Sequence, residues 1–173
     1  MRVLVAYASE HGATAEIAKA IGEELGGMGL QADVRSVDGD VDVRAYDAVI
    51  LGSGIYAGHW KKDAVKFGKR HADGLRGRPV WLFDSGPIDA SADEGRTTPV
   101  KDAVELAARF GARQHVTFGG QFGPEDVGKF TGRMIAMGGD KNPYGDFRNF
   151  ERIREWARAV GTELRAAPPV GAR

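Results

Sequence analysis

The 173-residue sequence contains no cysteine. That absence excludes a disulfide framework, a thiolate nucleophile and a zinc–thiolate centre at once. Four histidines, His11, His59, His71 and His115, show none of the i, i+4 spacing of a helical metal site, so no metal is expected. No stretch approaches the roughly eighteen consecutive apolar residues of a membrane-spanning helix. Met1-Arg2 leads straight into an apolar strand without a secretory pattern, so the expected location is the cytoplasm. Charge of one sign is also missing, since 24 Lys and Arg stand against 24 Asp and Glu. A nucleic-acid binder needs a basic face, and a carrier that docks on basic partners needs an acidic one; the balance argues against both. The remaining composition, 42% apolar and 28% charged, is that of an ordinary globular chain. One domain over residues 1–166 is expected, with a frayed tail at 167–173.

Glycine, by contrast, is plentiful, with 25 residues. The apolar run Val3-Leu4-Val5-Ala6-Tyr7 enters Ser9-Glu10-His11-Gly12-Ala13-Thr14 and then a helix over residues 15–25, with Ile17, Ala18, Ile21 and Leu25 on the inward spacing. A hydroxyl-bearing turn with a glycine, set between a strand and a helix, aims backbone N–H groups and the positive end of a helix dipole at one point. Such a point binds phosphate. The turn is neither G-x-x-x-x-G-K-[ST] nor G-x-G-x-x-G, because Gly12 stands alone and no lysine follows. The plainer alternative is that Ser9 caps the helix while Gly12 and Thr14 fill a turn.

Further along, residues 31–37 alternate as an outer strand would, and Tyr46-Asp47-Ala48-Val49-Ile50-Leu51-Gly52 reads as a strand buried on both faces. A loop of glycines and aromatics follows to Trp60, then a helix from Lys61 to about Leu75, a strand at 79–83, the loop Asp84-Ser85-Gly86-Pro87, a helix at 100–110 and a strand at 115–118. Residues 151–165 form an amphipathic closing helix. Alternating strands and helices call for an α/β fold with a doubly wound parallel sheet, and ligands on such sheets bind beyond the carboxyl ends of the strands. The loops after strands one, three and four are the expected site. Residues 119–149 spend about thirty positions where two to six are usual, and are expected to be a lid, a binding element or an extra subdomain. Within them, Phe130, Met134 and Met137 mark a short amphipathic helix, either packed on the sheet edge or lying over the site as an apolar lid.

The Ser9–Thr14 turn resembles the T-x-T-G-x-T phosphate turn of flavodoxins, with His11 in place of one hydroxyl. Taken in order with Val49-Ile50-Leu51-Gly52-Ser53-Gly54-Ile55, Gly58-His59 and Phe130-x-x-Arg133-Met134-Ile135-Ala136-Met137-Gly138-Gly139, it makes the chain similar to the bacterial quinone-dependent protoporphyrinogen oxidase family within the flavodoxin-like group. The resemblance implies a flavodoxin-like five-stranded parallel sheet in the order 2-1-3-4-5, with an insertion before the last helix. It also implies a non-covalent FMN, its phosphate on Ser9, Glu10, His11, Gly12, Ala13 and Thr14. The isoalloxazine ring would lie between Ser53, Gly54, Ile55, Tyr56, Ala57, Gly58 and Trp60 on one side and Asp84, Ser85, Gly86 and Pro87 on the other.

A flavin ring needs flat walls and closely approaching backbone, which Tyr56, Trp60 and the glycines offer, although Trp60 is equally readable as a core residue. His59 is the catalytic acid/base candidate, because it is the nearby group that titrates near neutrality; a surface histidine capping the following helix is the alternative. Expected partners are a hydrophobic small molecule or quinone, with a redox-protein partner and a homodimer left open. Two rival functions keep the fold: an electron carrier without a small-molecule substrate, and a deazaflavin-dependent oxidoreductase. A phospho-accepting receiver domain fits poorly, since its acidic and lysine positions hold Ser9-Glu10, Gly52-Ser53 and Gly119-Gly120.

Overall fold

The computed structural model describes residues 1–123 and 144–166. Its strands are β1 (Arg2–Ala8), β2 (Gln31–Ser36), β3 (Ala48–Tyr56), β4 (His59–Trp60), β5 (Val80–Ser85), β6 (Gln114–Phe118), β7 (Gln121–Phe122) and β8 (Gly145–Asp146). Its α-helices are α1 (Ala13–Gly27), α2 (Lys62–Arg70), α3 (Ala72–Leu75), α4 (Lys101–Phe110) and α5 (Phe150–Ala166). Five strands run parallel in the order β2-β1-β3-β5-β6, which is 2-1-3-4-5 when the parallel strands alone are counted. The expected amphipathic segment around residues 129–137 and the tail at 167–173 lie outside the described residues.

Period-two alternation divides each central strand between two cores. Val3, Val5, Ile50, Trp81 and Phe83 pack against α1 and α5 through Ile17, Ile21, Leu25, Ile153 and Trp156. Leu4, Ala6, Val49, Leu51, Val80 and Leu82 pack toward the other face, with Phe67 of α2, Leu75 of α3 and Leu106 of α4. Both sides of β1, β3 and β5 are therefore apolar, which is why these strands read as unbroken apolar runs. Among the described residues, no helix is long and apolar enough to cross a membrane.

Three local differences from the expected elements have visible causes. Helix α1 continues through Gly26 and Gly27 and is closed instead by Gly29, whose φ of 83° allows the Leu30 N–H to return to the Leu25 carbonyl at 3.1 Å. The glycine-rich loop after the third strand is a hairpin, because β3 runs on to Tyr56 and β4 pairs back onto it. The helix expected through Leu75 is divided at His71 into α2 and α3.

At that break the His71 ring lies 4.5 Å from the Phe67 ring, and its Nε2 accepts from Arg70 Nε at 3.2 Å, a bond that requires the neutral imidazole. Burial, reinforced by the Arg70 charge, holds His71 below its ordinary value near 6.5. The unfolded chain then binds the extra proton more readily than the folded one. The stability this neutral imidazole contributes is present above about pH 6.5 and is lost as pH falls below it. His71→Gln should flatten that slope. Urea midpoints at about pH 7.5 and about pH 5.5 measure it, and an equal drop in parent and variant would contradict the assignment.

Candidate functional site

Because β1, β3, β5 and β6 are parallel, their carboxyl ends share one edge of the sheet. There a single cavity of about 270 Å³ is lined by His11, Ala13 and Thr14 after β1, by Gly54, Ile55, Tyr56, Ala57 and Gly58 of the β3–β4 hairpin, by Ser85, Gly86 and Ile88 at the end of β5, and by Gly120, Gln121 and Phe122 after β6. Gly12 enters α1 with φ 93°, its N–H bonded to Ser9 Oγ at 3.0 Å and its carbonyl accepting the first helical bond from Glu16 N at 3.0 Å. The first N–H groups of α1 have no intrahelical acceptor, and the positive end of the helix points the same way, so this end of the cavity favours an anion. Thr14 Oγ1 and Ser85 Oγ, both buried, lie 3.1 Å apart.

One wall is the hairpin. Ile55 pairs with Trp60 and Tyr56 with His59, which leaves Ala57-Gly58 as a two-residue turn with φ of 51° and 79°. Two successive positive φ values mark the type I′ geometry that suits a twisted hairpin. Tyr56 folds over Gly54, where any Cβ would lie 2.7 Å from the ring. The Tyr56 hydroxyl accepts from Glu10 N at 3.2 Å and so fastens the hairpin to the turn after β1. Lys61 sits beside both, 3.3 Å from Glu10 Oε2 and 5.3 Å from the Tyr56 ring centre.

Under the hairpin is a polar base. Asp84 is fully buried, and its Oδ2 accepts from Trp60 Nε1 at 3.0 Å and lies 2.8 Å from His115 Nε2, while its Oδ1 has no hydrogen-bond partner among the described residues. Ser53 Oγ donates to the Gly54 carbonyl and accepts from Lys61 N, each at 2.9 Å. Asp102 Oδ2 accepts from Trp60 N at 3.1 Å and lies 3.2 Å from His59 Nδ1. Three separate oxygens thus hold β4 and the residue after it.

The opposite wall is the ribbon of β7 and β8, where Phe122 stacks on Tyr144 with ring centres 5.9 Å apart and planes 14° from parallel. Phe147 N bonds the Gly120 carbonyl at 2.9 Å, and Gly120 N bonds the Pro87 carbonyl at 2.7 Å.

A family model described as a flavodoxin domain matches residues 4–139. The chain belongs to the flavodoxin domain family. Protoporphyrinogen IX dehydrogenase [quinone] of Escherichia coli strain K12 is 35% identical over 99 residues, which cover 56% of this chain and 54% of that one. This flavodoxin-family chain therefore spans about half the length of the curated relatives it matches. Among solved structures, the flavodoxin of Streptococcus pneumoniae TIGR4 superposes with a TM-score of 0.62 at 20% identity, over 94% of this chain and 99% of that one. Oxidised flavodoxin 1 from Bacillus cereus gives 0.60 at 17% identity, over 94% and 98%. At these identities the structures speak for the flavodoxin fold alone.

Within this fold the expected site residues separate by what each one touches. His11, Ala13, Thr14, Gly54, Ile55, Tyr56, Ala57, Gly58, Ser85 and Gly86 come together around the cavity. Ser9, Glu10 and Gly12 shape the turn behind it, and Pro87 supplies the carbonyl that receives Gly120 N. Trp60 is not a wall of this cavity, because its indole is drawn inward to Asp84 and is 3% exposed. Ser53 and Asp84 are likewise committed to the base beneath the hairpin. His59 lies outside: it is exposed, pairs with Asp102 and borders a separate groove with Lys62 and Lys66. Ile88, Gly120, Gln121 and Phe122 were not singled out by the sequence as site residues, although the last three fall in the 119–149 stretch expected as a lid, a binding element or an extra subdomain. The signal for the last three was available, since in a doubly wound sheet the loop after β6 must lie beside the loop after β5, and Gly119-Gly120 leaves β6 directly.

Proposed function

We propose that the protein binds FMN in this cavity and works as an FMN-dependent oxidoreductase, exchanging electrons with a hydrophobic acceptor such as a quinone. Flavodoxin-fold relatives bind flavin, and the E. coli relative carries the words protoporphyrinogen IX dehydrogenase and quinone in its name. The observation that carries the reading is the convergence on one cavity of an anion-favouring helix terminus and a slot walled by glycine backbone and aromatic rings.

The residues present fit the cofactor. Helix α1 from Ala13 onward would hold the phosphate, with Thr14 and Ser85 as hydroxyl partners beside it. The Gly54–Gly58 side of the hairpin, Gly86 and Gly120 offer backbone at close range, while Tyr56 and Phe122 offer ring faces. FMN, when bound, supplies one- and two-electron transfer. The chain itself binds, orients and shields: the base formed by Ser53, Asp84 and Asp102 keeps the hairpin in place, and Ile55, Ile88 and Phe122 exclude water from the ring side. His59, paired to Asp102 outside the cavity, does not face the ring slot, so proton exchange with solvent is the simpler route.

A second reading, an electron carrier without a small-molecule substrate, is favoured by flavodoxins that match this chain over nearly their whole length. Titration with FMN, followed by flavin fluorescence, tests the cofactor assignment, and the absorbance of the purified protein separates FMN from a deazaflavin. Thr14→Val should weaken FMN binding by about 1–3 kcal/mol, because it removes a phosphate donor and leaves the Ser85 hydroxyl buried without its partner. An unchanged Kd, or no FMN binding by the parent, would sink the assignment. Turnover with a quinone supports the enzyme; exchange confined to one-electron partners supports the carrier.

A further inference from the structure

Arg148 lies just before α5, in the segment that leaves β8, and its side chain is 5% exposed. A guanidinium is expensive to bury unless its N–H groups are met. Here they are: Nε and Nη2 form a fork on Asp146, at 2.8 Å to Oδ1 and 2.6 Å to Oδ2, while Nη1 reaches Glu16 Oε2 at 2.7 Å and the Ala13 carbonyl at 3.3 Å. Asp146 belongs to β8 and pairs with Gln121 of β7, a residue of the cavity wall. Ala13 and Glu16 belong to the first turn of α1, and Ala13 lines the cavity at the anion-favouring end. The neighbouring Phe147 is bonded to Gly120, and Gly120 to Pro87, so the line of bonds continues to the loop after β5.

The charge alone does not explain this residue. A cation beside a helix N-terminus faces the positive end of the dipole, the unfavourable arrangement. Nor is Arg148 needed to pack α1 on α5, which already meet through Ile17, Ile21, Leu25, Ile153 and Trp156. What it supplies is a planar fork with fixed directions, which lysine would not reproduce.

We propose that Arg148 is a positioning residue that holds the β7–β8 wall of the cavity in register with the phosphate end of α1. The proposal rests on reading the cavity as a flavin site, and it places Arg148 behind the site rather than on the ligand, because four of its five N–H groups are committed to Asp146, Glu16 and Ala13. Loss of the clamp should then weaken ring binding whether or not the ligand carries a phosphate.

The test compares the parent with Arg148→Met, titrating each with FMN and with riboflavin, and follows amide exchange of residues 121–122 and 145–146 before any ligand is added. We expect both affinities to fall by the same factor, about tenfold, and the ribbon amides to exchange faster. A loss confined to FMN would overturn the proposal by making Arg148 a phosphate contact. A lower melting temperature with both affinities unchanged would also overturn it, by reducing the residue to a structural tie. If Arg148→Met does not fold, Glu16→Gln and Asp146→Asn release the two ends separately, and each should lower both affinities a few-fold; unchanged affinities in both overturn the proposal. Failure of the parent to bind FMN would instead remove the flavin reading, and unaltered ribbon exchange in Arg148→Met would show independently that the clamp holds nothing.

Discussion

Gly86→Val should weaken FMN binding about a hundredfold, or about 3 kcal/mol, the upper part of the range for forcing extra atoms into a packed contact. Gly86 stands between two close neighbours. A Cβ built there would meet Ile55 Cβ at 2.6 Å, and a Cβ on Gly120 would meet the Gly86 backbone at 3.1 Å. A branched side chain therefore has to push the β3–β4 hairpin away from the loop after β5, and these are two walls of the same slot. The hairpin can move at its turn, but its base is fixed at Ser53 and Trp60, so the displacement falls on the slot itself. Flavin fluorescence titration gives the affinity, and the ligand-free melting curve checks that the variant folds. A Kd within threefold of the parent would place the ring elsewhere.

The largest effect on stability is expected from Asp84→Ala, about 3–5 kcal/mol, because removing one member of a buried polar group strands the others. Trp60 Nε1 and His115 Nε2 both converge on Asp84 Oδ2, and among the described residues neither has another partner. At about 2–4 °C per kcal/mol for a chain of this size, the melting temperature should drop by roughly 10 °C. Asp84→Asn keeps an acceptor of the same shape and should cost much less. The contrast matters because Asp84 Oδ1 is already buried without a partner among the described residues, so part of the native cost of this side chain is present before any mutation. Urea unfolding of the two variants measures it, and a loss below about 1 kcal/mol for Asp84→Ala would mean that the base does not hold the hairpin.

How much of this was legible depended on whether the cause was local. The runs Val49-Ile50-Leu51 and Val80-Trp81-Leu82-Phe83 announce strands covered on both faces, and the segment around Gly12 announces a strand, a tight turn and a helix N-terminus, because each cause lies within a few residues of its effect. The hairpin was hidden by composition: residues 52–60 look like a loop, and its first turn position holds Ala57 where Asn, Asp or Gly would have advertised a type I′ turn. Trp60 was left open between ring wall and core for another reason. Its direction is decided by a carboxylate 24 residues away, and no periodicity in its own neighbourhood reports that partner. His59 is decided by Asp102, 43 residues on, in the same way.

The two cores that flank the sheet also differ in when they can be completed. Among the described residues, the buried members of the face covered by α2, α3 and α4 are all present once Phe110 of α4 has been made. The other face, which includes Trp81, Phe83 and Phe118, is shared between α1 and α5, and its last members are Val160 and Leu164. On a ribosome the first face can close on a growing chain, whereas the part of the second that α5 covers stays open through the synthesis of everything between β6 and α5. A large aromatic surface is thus held open late, the period in which a nascent chain is most exposed to wrong partners.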